Sequence, residues 1–272
     1  SALLGSAAGA MGAGWLADRI GRRPSMLLAA VLFLLSSVGS ALAPNLMDLV
    51  VWRVLGGVAV GFASVLAPAY IAEISPASMR GRTGSLQQLA IVLGIFLSLL
   101  FNYLIVLATP DQDPMSQLGP MAAWRWMLMA EVVPALLYGF LVLRIPESPR
   151  YLVRTGDLDQ ARAVISRTIG EPPETVIDRI QTSQGEGGGG SIRELFSRRS
   201  GLLPIVWTGV LLAIFQQLVG INVIFYYSSD LWQSVGFSTT DSLSVSVITA
   251  VTNVVTTFLA IATIDRLGRR PL

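Results

Sequence analysis

The stretch Asp18-Arg19-Ile20-Gly21-Arg22-Arg23-Pro24 decides the architecture, because it occurs again near the other end of the chain. The second copy, Asp265-Arg266-Leu267-Gly268-Arg269-Arg270-Pro271, differs from the first only in having leucine in place of isoleucine. Each copy closes an apolar run of helical length. A repeat of this kind indicates a protein built from two similar halves. The chain holds one repeat unit, the junction and only the beginning of the second unit.

The composition is that of an integral membrane protein. Of 272 residues, 53% are hydrophobic and 13% are charged, and the mean hydropathy is +0.63. The net charge of +2 does not favour nucleic acid as a partner. The sequence has neither cysteine nor histidine, which argues against disulfides, thiolate metal sites and the commonest general base. We therefore expect no metal, no cofactor and no enzymatic activity.

Seven stretches are long and apolar enough to cross a bilayer, which takes about 20 residues. They lie at 1–17, 25–43, 46–72, 83–107, 122–145, 202–227 and 242–264. Between the fifth and sixth stretches we predict short helices at 150–169, 174–182 and 191–197, with a glycine-rich linker at 185–190. Because the chain begins inside an apolar run without methionine, we interpret it as an internal part of a longer protein.

Positive charge alternates from one connection to the next. Seventeen of the nineteen arginines lie in every second connection, and the exceptions are Arg53 and Arg125. By the positive-inside rule the arginine-rich connections face the cytoplasm. Both motif copies and the connection at 144–201, which holds nine arginines, are therefore predicted to be cytoplasmic. We expect a multi-pass protein of a cell membrane.

The sixth stretch carries the densest group of polar side chains. Amides and phenols are costly to bury in lipid, so Gln216, Gln217, Asn222 and Tyr226 need a role. Asn222 and Tyr226 share one helix face. Gln217 and Asn222 converge only if the helix loosens between them, which Gly220 permits. Amides offer donors and an acceptor to sugar hydroxyls. The alternative is hydrogen bonding between neighbouring helices.

Other polar residues lie within the predicted spans. Gln88 belongs to a glutamine pair in the fourth stretch, and Asn253 lies on a polar stripe of the seventh, which either lines a cavity or packs against neighbours. Glu131 lies near the middle of the fifth stretch and Arg53 lies in the third. A buried carboxyl group can take up a proton, so Glu131 is a candidate proton carrier. The alternative is a fixed ion pair.

Acidic residues end the predicted cytoplasmic helices, and arginines follow each of them within seven positions. Pairs formed there can hold the helix bundles together on the cytoplasmic side and open when they break, which describes a gate. The alternative is a topology signal in solvated loops. The gate candidates are Asp18, Arg22, Arg23, Glu73, Arg80, Glu147, Arg150, Asp265, Arg269 and Arg270.

Short motifs along the whole chain carry a family resemblance. They are Gly14-Trp15-Leu16-Ala17-Asp18 with Arg19-Ile20-Gly21-Arg22-Arg23, Arg53-Val54-Leu55-Gly56-Gly57, Ala72-Glu73-Ile74-Ser75-Pro76 with Arg80-Gly81, Pro146-Glu147-Ser148-Pro149-Arg150, Gln216-Gln217 with Gly220-Ile221-Asn222 and Tyr226-Tyr227, and the terminal motif from Asp265 to Arg270. Together they resemble the sugar porter family of the major facilitator superfamily, in particular bacterial proton-linked xylose or glucose porters.

The resemblance implies an all-α membrane protein in which twelve helices form two six-helix bundles. This chain resembles helices two to eight, so we expect seven transmembrane helices and short cytoplasmic helices. Residues 1–145 would form most of the N-terminal bundle, 146–201 a cytoplasmic helical linker domain, and 202–272 the start of the C-terminal bundle. By the same resemblance, the sugar contacts are Gln88, Gln216, Gln217, Asn222 and Asn253, with Tyr226 beside them.

The function that the resemblance implies is monosaccharide transport by alternating access, with a hexose or pentose as substrate and proton symport. Arg53 would lie near an acidic residue of the first helix, and Glu131 matches a family acid. Ile95 stands where xylose symporters have a second glutamine, which keeps a passive uniporter open. A polyol transporter and a membrane sugar sensor are further alternatives. The expected partners are the bilayer, the sugar and a proton, with one chain as the transport unit.

Overall fold

The computed structural model describes residues 1–76, 79–185, 196–197, 201–202, 204–220, 223 and 227–267. Only the backbone is described for residues 80–82, 183–185, 196–197, 201–202, 204–205 and 264–267. Six helices make up the first part of the chain: α1 (Ala2–Ile20), α2 (Arg22–Leu42), α3 (Leu46–Ile74), α4 (Arg80–Leu107), α5 (Ala123–Ala130) and α6 (Val132–Arg144). Two short antiparallel strands of two residues each, β1 (Gln117–Leu118) and β2 (Met121–Ala122), lie between α4 and α5.

Helix α3 is the centre of this first bundle, since α1 and α2 both pack along it. Helix α2 also packs against α5 and α6. Asn45 starts α3, because its side chain accepts a hydrogen bond from the backbone N–H of Asp48 at 2.8 Å. The apolar core of this part includes Met26, Leu66 and Val142, which are buried between α2, α3 and α6.

Glycines allow α1 and α3 to approach until their backbones touch. A Cβ atom at Gly9 would lie 2.3 Å from the carbonyl oxygen of Val58. A Cβ atom at Gly61 would lie 2.3 Å from the carbonyl oxygen of Ser6. Small residues are the usual means of close packing between helices in a membrane. The glycines that follow Arg53 in the sequence therefore have a packing role.

The middle of the chain forms a separate cluster of short helices, α7 (Pro149–Thr155), α8 (Leu158–Thr168) and α9 (Pro173–Gly185). They bury Leu152, Val153, Ala161, Ile165, Val176 and Ile177 against one another. Ser148 caps α7 by accepting from the N–H of Arg150, and Pro149 takes the first helical position. Arg162 of α8 hydrogen-bonds Glu174 of α9 at 2.7 Å, and this bond raises the pKa of the arginine.

Two sequence predictions need correction in this region. The predicted helix at 150–169 is interrupted at Gly156, whose φ of 85° ends α7 and starts the turn to α8. The predicted helix at 191–197 is wrong at Phe196–Ser197, which form β3 and pair with β4 (Gly201–Leu202). So short a helix has little stability of its own, and the paired strands satisfy the same backbone groups. Residues 191–195 lie outside the described part.

The last part contains α10 (Pro204–Leu218), α11 (Ser228–Ser234) and α12 (Thr239–Leu267). Helix α12 packs against α4 of the first bundle, and α11 packs against α12. The sixth predicted stretch, 202–227, is not one continuous helix, because α10 ends at Leu218. Gly220 follows with a φ of 77°, which a helix does not accommodate.

Five helical regions of the described chain are long and apolar enough to span a membrane. They are Arg22–Leu42, Leu46–Ile74, Thr83–Leu107, Ala123–Arg144 and Thr239–Thr263. A shorter apolar helix covers Val206–Leu218. The first predicted stretch forms α1, which is rich in glycine and alanine, ends in charged residues and is not among these five. Five of the seven predicted stretches therefore correspond to helices of spanning length and composition. The first corresponds to α1, and the sixth corresponds to a helix only as far as Leu218.

Candidate functional site

The glutamine pair of the sixth stretch lies on the last turn of α10. Gln216 and Gln217 are both exposed, and the helix stops one residue after them. The backbone N–H of Gly220 donates to the carbonyl oxygen of Gln217 at 3.2 Å, which closes a turn where the helix ends. The two amides therefore stand at a break in an apolar segment. Asn222 and Tyr226, the other predicted contacts of this stretch, lie outside the described residues.

The two remaining predicted sugar contacts lie on helices that touch each other. Gln88 is an exposed residue of α4, and Asn253 is a half-buried residue of α12. These helices pack together where the first bundle meets the start of the second. Thr249 and Thr256, which share the polar stripe with Asn253, donate to carbonyl oxygens of their own helix at 2.9 Å. Gln88 and Asn253 thus lie on helices that pack against each other.

The two ionisable residues within the spans form a pair. Nη1 of Arg53 lies 3.4 Å from Oε1 of Glu131, although the residues are 78 positions apart. Glu131 stands at the junction of α5 and α6. Both side chains line a cavity of about 410 Å³ with Ser36, Ser37 and Tyr138.

The first motif copy joins the C-terminal end of α1, the start of α2 and the C-terminal end of α3. Nε and Nη2 of Arg22 donate to the two carboxylate oxygens of Glu73, each at 3.1 Å. Nη1 of the same guanidinium donates to Asp18 at 3.1 Å. Asp18 also pairs with Arg154 of α7 at 3.0 Å. One arginine therefore binds two carboxylates, and the cluster extends into the helices of the linker region.

Glu147 has a role that its position in the sequence does not reveal. Its carboxylate accepts the backbone N–H of Arg22 at 2.9 Å and that of Arg23 at 3.2 Å. These are the free N–H groups at the start of α2, where the helix dipole favours negative charge. Glu147 thus caps the start of α2, although it follows α6 in the chain. Arg23 extends to the end of α6, where its Nη2 donates to the carbonyl oxygen of Leu143 at 2.8 Å.

The backbone at Gly21 shows why the motif has glycine at this position. Its φ is 101°, in the region that other residues rarely adopt. A Cβ atom at this position would lie 2.4 Å from Oε2 of Glu147. The turn from α1 to α2 therefore needs glycine both for its backbone angle and for the space that the capping carboxylate occupies.

Sequence reasoning missed three members of the cluster formed around Arg22, Glu73 and Glu147. Ser148 is buried and donates to Oε2 of Glu73 at 2.5 Å. Tyr70 donates to the carbonyl oxygen of Pro146 at 2.8 Å. Arg154 donates to the carbonyl oxygen of Asp18 in addition to its ion pair. The run Pro146-Glu147-Ser148-Pro149-Arg150 was a signal for the first two, since each contact involves one of its residues.

The other gate candidates divide into two groups. Arg150 lines a cavity of about 520 Å³ together with Glu73, Glu171 and Arg179. For Arg80 and Asp265 only the backbone is described, and Arg269 and Arg270 lie outside the described residues. The structure therefore defines the cluster around the first motif copy, whereas contacts of the second copy stay predictions.

Known proteins match this chain along its whole length. A family model described as "Sugar (and other) transporter" matches residues 1–272. The chain belongs to this family. It is 55% identical over 271 residues to a glucose transport protein of Synechocystis, covering 100% of this chain and 58% of that protein. It is 37% identical over 291 residues to the D-xylose-proton symporter of Escherichia coli K12, covering 100% of this chain and 57% of the symporter.

Solved structures give the same family. The proton:xylose symporter XylE of the major facilitator superfamily, bound to 6-bromo-6-deoxy-D-glucose, matches with a TM-score of 0.84 at 36% identity, over 99% of this chain and 59% of that one. A partially occluded inward-open form of XylE from E. coli matches with a TM-score of 0.82 at 35% identity, over 99% and 62% of the two chains.

These likenesses establish the fold class. The chain is an all-α, multi-pass membrane protein with the major facilitator fold, and its family is one of transporters, not enzymes. The chain spans less than two thirds of the length of the relatives named above. The substrates named for those relatives are therefore a starting point for a proposal about this chain.

Proposed function

We propose that this chain binds and moves a monosaccharide across a bacterial cell membrane by alternating access, with protons as the coupled ion. The observation that carries the proposal is the exposed amide pair Gln216–Gln217 at the break that ends α10. A broken helix inside an apolar segment leaves polar groups available to a ligand at membrane depth. Amides can donate to and accept from the hydroxyls of a neutral sugar.

The seam between α4 and α12 supports the same location for the sugar. Gln88 belongs to one of these helices and Asn253 to the other, so each half of the fold contributes an amide-bearing helix to it. A substrate held between two bundles can be released to either side when the bundles rock. Asn222 and Tyr226 are proposed as further contacts from the sixth stretch.

Proton coupling is proposed for the pair Arg53–Glu131. A carboxylate that exchanges an arginine partner for a proton changes the charge of the bundle without leaving the membrane. The pair lines a cavity with hydroxyl groups, which gives a proton a polar path. The relatives include a D-xylose-proton symporter and a galactose-proton symporter, both of E. coli K12. A passive uniporter is the alternative, and Ile95 in place of a glutamine is the feature that favours it.

The cytoplasmic cluster is proposed as the gate. Arg22 binds Asp18 and Glu73, and the same cluster includes the cap Glu147 and Arg154 of the linker helices. A network of ion pairs can be broken and re-formed as a unit, because its members share partners. We propose that Arg80, Arg150, Asp265, Arg269 and Arg270 contribute to it, with the motif turns on the cytoplasmic side and one chain forming the transport unit.

Uptake by proteoliposomes tests the proposal. The complete gene product is reconstituted and offered labelled D-glucose, D-xylose, D-galactose and myo-inositol, while the external pH is followed. Sugar entry with alkalinisation of the medium supports symport, and sugar entry without it identifies a uniporter. Entry of inositol alone identifies a polyol transporter. Binding of a sugar without any flux identifies a sensor and contradicts the transport proposal.

A further inference from the structure

Helix α11 begins directly after the stretch that carries the proposed sugar contacts. Tyr227, the residue before it, accepts the backbone N–H of Leu231 at 2.8 Å and so starts the helix. All seven residues of α11 are described, and Ser228 is the one that is buried. The position of Ser228 therefore defines where the chain becomes helical again as α11.

Ser228 is bound to the interior face of α12. Its Oγ lies 2.7 Å from Oγ of Ser246, which is 1% exposed. Ser246 Oγ also lies 2.9 Å from the carbonyl oxygen of Ser242. Each hydroxyl has one proton, so both contacts coexist when Ser228 donates to Ser246 and Ser246 donates to the carbonyl. The two serines then satisfy each other in a site closed to water.

The contact is a buried hydrogen bond between a side chain of α11 and a side chain of α12. The other buried residues of α12 around Ser246 in the sequence are Ser242, Leu243 and Ala250. A buried hydroxyl that loses its partner is costly, so the pair holds one geometry more firmly than apolar contact does. One end of the stretch 219–227 is therefore fixed by α10 and the other by this serine pair.

We propose that Ser228 and Ser246 are positioning residues for sugar binding. They do not contact the sugar; they fix the start of α11, directly after the stretch that contains the proposed contacts Asn222 and Tyr226. Preorganisation of this kind raises affinity by reducing the ordering cost. The inference rests on the proposed function, since it assigns a role within that sugar site.

The test is the KM and Vmax of sugar uptake by the complete gene product in proteoliposomes. Ser228→Ala and Ser246→Ala are each expected to raise KM about fivefold, the loss of one hydrogen bond, with little change in Vmax. Because both variants remove the same bond, Ser228→Ala/Ser246→Ala is expected to raise KM no further. Ser244→Ala is the matched control, since Ser244 donates to the carbonyl oxygen of Thr240 in its own helix at 2.9 Å.

The outcomes separate this inference from the proposed function. If wild type does not take up sugar, or Gln217→Ala leaves KM unchanged, the proposed site is wrong. If Gln217→Ala raises KM but neither serine variant does, the positioning role is wrong. Effects of the two serine variants that add in the double variant also contradict it, because they indicate independent packing losses. Should the alanine variants fail to fold, Ser246→Cys, similar in size but a weak hydrogen-bonding group, is expected to raise KM and is judged by the same criterion.

Discussion

Arg22 holds the carboxylate of Glu73 with two parallel hydrogen bonds of 3.1 Å, although 51 positions separate the residues. The side chains are only 13% and 12% exposed. Two donors of one guanidinium that meet two oxygens of one carboxylate form the bidentate geometry that lysine cannot make. The third donor group of Arg22 reaches Asp18. In the first copy of the motif, one arginine thus binds both Glu73 and Asp18.

Removing the acidic partner is expected to loosen the cytoplasmic side. Glu73→Gln leaves the Arg22 guanidinium without its carboxylate, which we expect to cost about 2 kcal/mol of stability. If the cluster is a gate, a cysteine introduced on the cytoplasmic side of the α4–α12 seam reacts faster with a membrane-impermeant reagent in this variant. Melting temperature and labelling rate are the two measurements.

The control for this prediction is Glu174→Gln, which removes the exposed partner of Arg162 on the linker helices. It is expected to leave both measurements unchanged, because exposed ion pairs contribute little. A fall in melting temperature for Glu73→Gln with an unchanged labelling rate would mean that the cluster stabilises the fold without gating it.

Replacement of Gly21 by alanine is expected to disturb the same cluster from the backbone side. The φ of 101° and the carboxylate 2.4 Å from the added Cβ both oppose the change. We expect a loss of about 1 to 3 kcal/mol in stability, seen as a lower melting temperature. Gly14→Ala is the matched control in α1, where nothing lies within 4 Å of an added Cβ. Equal melting temperatures of the two variants would refute the capping role of Glu147.

Neutralising Glu131 is expected to separate sugar movement from proton movement. Glu131→Gln keeps the size of the side chain but cannot exchange Arg53 for a proton. We expect labelled-sugar counterflow to continue, while sugar-driven alkalinisation is lost. Asp159→Asn, which removes a partner of Arg162 outside the membrane, serves as the control and retains both. If Glu131→Gln retains alkalinisation, the pair is structural and the coupling proposal is wrong.

Local patterns in the sequence were sufficient for the architecture. Apolar length predicted every helical span, because lipid allows few other structures. The spacing of Asp18 and Arg22 was already that of a helical ion pair, which the structure confirms. The side on which each connection lies stays a prediction from arginine placement. The cytoplasmic partners from distant helices were not predictable. The sequence around Glu147 does not show that this residue caps α2, because the contact forms only when α6 packs beside α2.

The candidate site shows the same division. Gly220 in an apolar stretch pointed to a break, and α10 does end at Leu218. An ion pair was one alternative for Glu131, but the sequence did not identify Arg53 as its partner, because that contact depends on how α3 packs beside α5 and α6. The bond between Ser228 and Ser246 was invisible, since serine is common in loops and in helices and only burial distinguishes this pair.

The affinity of the complete gene product for its monosaccharide, measured by titration calorimetry in detergent, tests the central claim most directly. Gln217→Ala removes one of the two amides at the break of α10, and it is compared with Gln181→Ala, which removes an exposed amide from α9. The account predicts binding about tenfold weaker for Gln217→Ala, from the loss of its hydrogen bonds to the sugar, and unchanged binding for Gln181→Ala. Wild-type affinity in the Gln217→Ala variant would contradict the assignment of the sugar site.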